Sequence, residues 1–163
     1  MTDYSPDTIS PTTPRVGVIA GSTRPGANSE ALTQWVHELC VSRNTCDYEL
    51  ISLRDWNLPL LDEPGVPAHT GPTLPHTKAW SNKVSSFQGF VFVTPQYNWG
   101  YPAPLKNALD YLFKEWNGKP ALVVTFGGRG GGKCAAQLKE GTFALFGAML
   151  CCQPLIRDSI GSG

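Results

Sequence analysis

A loop that is rich in aromatic rings and poor in charge follows an apolar run at residues 90–93. It reads Thr-Pro-Gln-Tyr-Asn-Trp-Gly-Tyr-Pro over residues 94–102. Its rings, which offer faces for stacking, are Tyr97, Trp99 and Tyr101. Its side-chain amides, which could bond to a ring edge, are Gln96 and Asn98. This mixture suits a flat heterocycle with polar edges better than a metal or a phosphate. Packing of the rings in a core or a subunit contact is the alternative.

A second candidate site follows the first apolar segment, at residues 21–29, which read Gly-Ser-Thr-Arg-Pro-Gly-Ala-Asn-Ser. A helical pattern begins at Asn28, so hydroxyls, an amide and free helix N–H groups meet here and form a potential anion site. Arg24 adds a guanidinium that can fork onto phosphate oxygens. The loop has neither the Gly-Lys-Ser/Thr ending of a P-loop nor the G-x-G-x-x-G spacing. A capped, solvated turn is the alternative, but the position after the first strand favours phosphate.

A third loop, at residues 127–132, contains five glycines and one arginine. Gly130, Gly132 and Ala135 formally match G-x-G-x-x-A, but the match falls in the fourth strand–helix unit and Leu150 stands where the fingerprint expects an acidic residue. The glycines are better explained as positions where backbone approaches a ligand edge-on. A flexible surface turn is the alternative.

Strand-like and helical segments alternate along the chain. The predicted strands are 16–20, 48–52, 90–93, 121–125 and 149–156. The predicted helices begin near residues 28, 77, 104 and 133 and end near residues 39, 86, 112 and 146, with an irregular, Pro-rich segment at 54–76. The first helix is predicted to bury one stripe, made of Ala31, Leu32, Trp35, Val36 and Leu39. Strands joined by helical crossovers predict an α/β three-layer sandwich with a parallel sheet. A flavodoxin-like order 2-1-3-4-5 and half of a Rossmann sheet both fit this pattern.

The composition is that of one globular domain. The chain has 163 residues, of which 41% are hydrophobic and 16% charged, and its net charge is zero, so no nucleic-acid partner is expected. Residues 1–13 predict a disordered lead-in before a single domain at 14–163. Five cysteines without zinc spacing favour reduced thiols and a cytoplasmic protein. The three histidines fit neither a metal site nor a hydrolytic triad, and no segment predicts a membrane span.

Together the three loops resemble those of the NADPH-dependent FMN reductase family, the flavodoxin-like quinone, azo and chromate reductases. The motifs that carry the resemblance are Gly21-Ser22-x-Arg24…Asn28-Ser29, Pro95-Gln96-Tyr97-Asn98-x-Gly100-x-Pro102…Leu105-Lys106-Asn107-Ala108-Leu109-Asp110, and Gly127-Gly128-x-Gly130-Gly131. The middle motif is the most specific, and the likeness covers Arg15 to Ile156. Gln96 stands where many members have Glu, a variant similar to the fungal branch. Members usually continue past the fifth strand into a final helix.

The resemblance implies a five-stranded flavodoxin-like sheet of order 2-1-3-4-5 that binds FMN as a homodimer. The phosphate would lie among Ser22, Arg24, Asn28 and Ser29. The ribityl chain and pyrimidine edge would contact Pro95, Gln96, Tyr97 and Asn98. The isoalloxazine would be flanked by Gly127, Gly128, Arg129 and Gly130.

The implied activity is hydride transfer from NADPH or NADH through bound FMN to a small acceptor, such as a quinone, free flavin, azo compound or metal oxyanion. One pocket serving donor and acceptor in turn predicts ping-pong kinetics. Because the cofactor carries the chemistry, no catalytic side chain and no metal is expected. The alternatives are a flavodoxin-type electron carrier and an FMN-binding sensor or scaffold; the neutral charge argues against the carrier.

Overall fold

A parallel sheet with helices on both faces forms the frame of the computed structural model, which describes residues 13–26, 28–142, 146 and 148–152. The strands are Arg15–Ala20 (β1), Asp47–Ser52 (β2), Gly89–Pro95 (β3), Pro120–Phe126 (β4) and Ala148–Cys152 (β5). The helices are Asn28–Ser42 (α1), Leu53–Trp56 (α2), Pro75–Ser85 (α3), Ala103–Asp110 (α4) and Gly132–Thr142 (α5). Most of the expected lead-in, and residues 153–156 of the last expected strand, lie outside the described residues.

The strand order decides between the two topologies that the sequence left open. The strands β2, β1, β3 and β4 lie side by side in that order and are all parallel, and the backbone of β5 pairs in parallel with β4. The chain therefore steps outward from β1 in both directions, which is the flavodoxin-like arrangement. The predicted flavodoxin-like α/β class with a parallel sheet is confirmed.

Alternate residues of the strands point to opposite faces and build two cores. One face is covered by α3, α4 and α5, and its largest rings include Trp80, Phe90, Phe92 and Trp116. The Phe90 and Trp116 rings meet edge to face, with centroids 4.9 Å apart, which is a favoured aromatic geometry. The other face is covered by α1 over a smaller set of valines. Strand β3 is buried along its whole length, as a central strand with both faces covered must be.

The predicted buried stripe of α1 is confirmed only in part: Val36 is buried and Leu32 packs against the core. The side that packs on the sheet carries Ser29, Thr33 and Val36, whereas Trp35 is 55% exposed and Leu39 42% exposed. Small polar residues can occupy this interface because Thr33 satisfies its own hydroxyl by donating to the Ser29 carbonyl, at 2.6 Å. Hydrophobicity alone therefore located only part of the buried face of this helix.

A short helix, α2, stands where the sequence suggested irregular chain. Ser52 caps it through an Oγ that accepts from the Asp55 N–H at 3.4 Å, and Asn57 ends it in the left-handed region, with φ 44°. Its four residues place polar side chains at the carboxyl end of β2, beside the end of β1.

The Pro-rich segment after α2 is bound to the protein through polar side chains of α4 and its C-cap. Asn107 donates to the Pro59 carbonyl at 2.6 Å and accepts from the Leu61 N–H at 2.9 Å. The Tyr111 hydroxyl donates to Asp62 Oδ1 at 2.9 Å. Burial and the neighbouring Asp62 carboxylate raise the pKa of Tyr111 to about 12, so the phenol stays protonated and keeps this role.

Glu63 closes the same segment onto the start of α3. Its carboxylate accepts from the Thr73 hydroxyl at 2.6 Å, the Thr73 N–H at 3.0 Å and the Leu74 N–H at 2.8 Å. Desolvation raises the pKa of Glu63, but these hydrogen bonds outweigh it and lower the pKa from 4.5 to about 2. The ionised carboxylate is therefore the form that the fold stabilises.

This shift predicts a loss of stability in acid. Because the folded-state pKa is depressed, the contribution of Glu63 is complete above about pH 4.5 and is lost as the pH falls through about 2. We expect the free energy of unfolding of Glu63→Gln to fall less steeply over this interval than that of the native protein, as measured by urea titrations at each pH. Glu140→Gln, on the exposed side of α5, is the control and should keep the native slope.

Candidate functional site

Three loops leave the carboxyl ends of neighbouring strands and meet at one edge of the sheet. The first loop is residues 21–26 after β1, the aromatic loop is residues 96–102 after β3, and the glycine loop is residues 127–131 after β4. Because β1, β3 and β4 are adjacent and parallel, their carboxyl ends lie side by side. This edge is where open α/β sheets bind ligands.

A cleft of about 310 Å³ lies between the first loop and the aromatic loop. Its lining residues are Arg24, Pro25, Gly26, Asn28, Ser29, Pro95, Tyr97 and Phe126. The start of α1 is at this cleft, so its first N–H groups and the positive end of the helix dipole are available to an anion. Among the described residues, the Oγ of Ser29 is buried without a hydrogen-bond partner, as are the hydroxyls of Thr77 and Thr125. Buried polar atoms are nearly always satisfied, and Ser29 lines this cleft, where a ligand could complete its hydrogen bonding.

Ser22 joins the first loop to the aromatic loop. Its hydroxyl oxygen lies 2.9 Å from the Tyr97 hydroxyl and accepts from the Arg24 N–H at 3.3 Å, and the residue is only 4% exposed. The Ser22 hydroxyl thus already has two partners within the protein. Ser22 was predicted to contact the phosphate, but in the structure its hydroxyl bonds the first loop to the aromatic loop.

A second cleft, of about 400 Å³, lies between α1 and the glycine loop. It is lined by Asn28, Ala31, Leu32, Trp35, Phe126, Gly127 and Gly128. Asn28 and Phe126 line both clefts, so the two spaces adjoin. Together they offer an anion site that continues into a more apolar space, the pattern expected for a ligand with one charged end and one flat, largely apolar end.

Two glycines set the shape of the glycine loop. Gly131 has φ 74°, and a Cβ there would stand 2.7 Å from the backbone nitrogen of Phe126. A Cβ on Gly127 would lie 3.2 Å from the Cβ of Gln96. Only glycine fits at residue 131, because a side chain would be both strained and in collision with the end of β4. Gly131 was part of the sequence motif but not among the expected flavin-binding residues.

Gln96 spans the gap between the aromatic loop and α5. Its side-chain oxygen accepts from the N–H groups of Lys133 and Cys134, both at 3.1 Å, and its own N–H donates to the Phe126 carbonyl at 2.7 Å. The side chain therefore caps the first turn of α5, whose N–H groups have no partner within the helix. The Gln96 side-chain oxygen, one of the groups expected to face a ring edge, is thus used within the protein.

The tip of the aromatic loop is a tight reverse turn. Tyr97 and Gly100 exchange two hydrogen bonds of 2.9 Å, and the central residues have positive φ, 45° for Asn98 and 73° for Trp99. Positive φ at both central positions defines a type I′ turn, and a tryptophan is an unusual occupant. Trp99 is 59% exposed, with the Lys133 ammonium 5.1 Å from its ring centre. Such local strain accumulates at functional sites.

The structure gathers part of the expected site around the two clefts. Arg24, Asn28, Ser29, Pro95, Tyr97, Gly127 and Gly128 line them. Outside their lining are Ser22, Gln96, Asn98, Arg129 and Gly130. Two contributors were missed: Phe126, the last residue of β4, and Arg54, which contacts the first loop from α2. Their positions in the chain could have identified them, since each lies at the carboxyl end of a strand and these ends share one edge of the sheet.

The part of the chain that the structure describes contains no group of three or more His, Cys, Asp or Glu side chains that could hold a metal ion. Within those residues, no helix is both long enough and apolar enough to cross a bilayer.

Comparison with known proteins identifies the family. Residues 14–153 match the family model described as NADPH-dependent FMN reductase. The chain is 51% identical over 137 residues to an NAD(P)H-dependent FMN reductase of Schizosaccharomyces pombe, covering 83% of this chain and 68% of that protein. It is 42% identical to the NAD(P)H-dependent FMN reductase LOT6 of Saccharomyces cerevisiae, covering 77% of this chain and 72% of that protein. The chain thus spans about two thirds of the length of these relatives.

Solved structures share the fold at low identity. FerB, a flavoenzyme NAD(P)H:(acceptor) oxidoreductase from Paracoccus denitrificans, aligns with a TM-score of 0.66 at 23% identity, over 87% of this chain and 76% of that one. An FMN-dependent NADH-azoreductase from Bacillus anthracis, solved in complex with FMN, aligns with a TM-score of 0.58 at 16% identity, over 84% and 86% of the chains.

The chain belongs to the NADPH-dependent FMN reductase family. The resemblance of its three loops to that family, and to the fungal branch in particular, is confirmed by these relatives. FMN and NAD(P)H are the cofactor and the hydride donor of this family of enzymes.

The capping role of Gln96 predicts a measurable loss of stability. Gln96→Ala removes the acceptor of two N–H groups at the start of α5, which should lower the free energy of unfolding by about 1 to 2 kcal/mol. The measurement is urea unfolding of the ligand-free protein. Gln34→Ala, which removes only an exposed bond to Glu38, is the control. An equal effect of both substitutions would contradict the capping role.

Proposed function

We propose that this protein is an FMN-dependent NAD(P)H oxidoreductase that reduces a small-molecule acceptor, with a quinone, a free flavin, an azo compound or a metal oxyanion as the candidate classes. The observation that carries the proposal is the buried Ser29 hydroxyl at the start of α1, which has no hydrogen-bond partner within the described part of the chain and lies in a cleft that Arg24 also lines. This donor set fits one terminal phosphate. Membership of the FMN reductase family indicates that this phosphate is the phosphate of FMN.

The phosphate of FMN would be held by Arg24, Asn28 and Ser29, with Ser22 shaping the loop beside them. A guanidinium, a hydroxyl and the N–H groups of a helix start form a charge-assisted set for a dianion. The ribityl chain and pyrimidine edge would pass Pro95 and Tyr97 toward the amides of Gln96 and Asn98. The first loop offers one anion site at one helix start, which favours the single phosphate of FMN over the pyrophosphate of FAD.

The flat ring would occupy the space beside the glycine loop, at residues 127–130. Gly127 and Gly128 line the second cleft, so their backbone can come close to a ring without a side chain between them. Backbone N–H groups of this loop, which also carries Arg129, could stabilise negative charge on the reduced ring. Phe126, which lines both clefts, would lie between the charged and the flat parts of the ligand and exclude water there.

Bound FMN supplies hydride acceptance from NAD(P)H and electron delivery to the acceptor, and the protein supplies binding, orientation and electrostatics. We therefore assign no side chain as a general base. One pair of adjoining clefts and one ring face would serve donor and acceptor in turn, which makes a ping-pong sequence the expected order of binding.

The working enzyme is proposed to be a cytoplasmic homodimer with the five-stranded order 2-1-3-4-5 and β5 at one edge. The exposed ring of Trp99, held at the tip of a tight turn, is the feature that supports a subunit contact near the site. An electron carrier of the flavodoxin kind is the second candidate. A carrier is typically acidic so that it can steer toward basic partners, and the net charge of zero does not favour it.

The phosphate assignment predicts a selective effect of one arginine. Arg24→Ala should weaken FMN about 10- to 100-fold, because it removes a charge-assisted hydrogen bond, and should change riboflavin affinity by less than about twofold. Flavin fluorescence titrations of the ligand-free protein measure both constants. Arg43→Ala, an exposed arginine just beyond α1, is the matched control.

Equal losses of affinity for FMN and riboflavin would show that Arg24 only shapes the loop.

The same protein preparations distinguish an enzyme from an electron carrier or a sensor. Under anaerobic conditions, NADPH should bleach the visible absorbance of the FMN-loaded native protein within its turnover time. A loaded protein that NADPH leaves yellow without an acceptor, and that oxidises no NADPH when a quinone is added, would favour the carrier or the sensor.

The shared clefts predict the kinetic pattern. Initial rates against NADPH at several fixed quinone concentrations should give parallel double-reciprocal lines, because donor and acceptor cannot occupy the same ring face together. Steady-state absorbance assays at 340 nm, the wavelength of NADPH, give these rates. Intersecting lines would indicate a ternary complex and a second substrate site.

A further inference from the structure

Arg54 contacts the first loop from outside the cleft. It lies in α2, directly after β2, and its Nε donates to the Thr23 carbonyl at 3.2 Å. One terminal nitrogen donates to the Arg24 carbonyl at 2.8 Å, and the other forms an ion pair with Glu30 in the first turn of α1. The planar guanidinium thus bonds two successive carbonyls of the loop and one carboxylate of the helix that follows it. A lysine ammonium could not make these three contacts in the same geometry.

These bonds fix the backbone on both sides of one residue. The peptide group before Arg24 has its oxygen bound by Arg54 and its N–H bound by the Ser22 hydroxyl, at 3.2 Å and 3.3 Å. The peptide group after Arg24 has its oxygen bound by Arg54 and its nitrogen locked in the ring of Pro25. With both flanking peptide planes fixed, the direction of the Arg24 Cα–Cβ bond is fixed as well.

The support from Arg54 matters because the Arg24 side chain is exposed and its backbone is in a loop. Arg24 is exposed, it lines the 310 Å³ cleft, and its backbone lies in a segment with no helix or strand pairing. A long, mobile side chain loses conformational freedom when it binds, and prior fixation of its backbone reduces that loss. The charge of Arg54 itself is largely balanced by Glu30, so the direct field of this pair at the cleft is small.

We propose that Arg54 is a positioning residue for phosphate recognition, which acts by fixing the backbone from which Arg24 reaches the phosphate. The inference rests on the proposed function, because it concerns the same phosphate site. It adds to that site a residue from β2's side of the sheet, and it assigns the Arg54–Glu30 ion pair to the binding of the charged end of the ligand. Arg54 does not touch the ligand in this arrangement.

A double-mutant cycle, starting from the ligand-free protein, tests whether the effect of Arg54 on FMN affinity requires Arg24. Dissociation constants for FMN and riboflavin are measured for the native protein, Arg54→Ala, Arg24→Ala and the double variant, with Arg43→Ala as the control for loss of an exposed positive charge. We expect Arg54→Ala to weaken FMN roughly 3- to 10-fold in the native background and less than about twofold when Arg24 is already alanine. Riboflavin should change less than about twofold throughout.

The same weakening of FMN by Arg54→Ala in both backgrounds would overturn the inference, since a charge acting at a distance or a general loss of structure would add independently. A parallel fall of riboflavin affinity and of the melting temperature would also overturn it, in favour of a structural role. Native protein that binds FMN no more tightly than riboflavin would overturn the phosphate site itself and the inference with it. If the native protein binds FMN more tightly than riboflavin but the effects of Arg54→Ala and Arg24→Ala on FMN affinity simply add, only the role of Arg54 is overturned and the phosphate site stands.

Discussion

The parallel alignment of β1, β3 and β4 is the constraint on which the site depends. Each strand ends at the same edge of the sheet, so three segments that are about 75 and 30 residues apart in the chain become neighbours. None of the three loops forms a ligand site alone. The first loop offers donors for an anion, the aromatic loop offers rings and amides, and the glycine loop offers bare backbone. The sheet supplies what the loops lack, which is a fixed distance between them.

The loops are also bonded to one another above the sheet. Ser22 joins the first loop to Tyr97, and Gln96 joins the aromatic loop to the start of α5. These bonds use polar atoms that a reading of the sequence had reserved for the ligand. Their cost is one acceptor fewer for the ring edge and one hydroxyl fewer for the phosphate. Their gain is a site whose walls are already in place before a ligand arrives, which lowers the entropy lost on binding.

The sequence predicted the class of fold and the three loops correctly, because both follow from strong local patterns. Apolar runs separated by helical crossovers predict a parallel sheet, and motifs next to strand ends must fall at the ligand-binding edge. The buried face of α1 was predicted only in part, because Thr33 is buried through a bond to its own helix, while Trp35 is left exposed. The roles of Gln96 and Arg54 could not be read because their partners are backbone atoms that lie 37 and 31 positions away. Hydrophobic periodicity carries no information on such contacts.

The reach of one glutamine side chain ties the evolution of two loops together. Since Gln96 must span from the end of β3 to the first N–H groups of α5, the number of residues between β4 and α5 has little room to vary. An insertion in the glycine loop would move α5 away from its cap, and an insertion between β3 and Gln96 would move the cap away from α5. Change at either of these two places would therefore need a matching change at the other, and surviving variants of this protein should alter the two lengths as a pair or not at all.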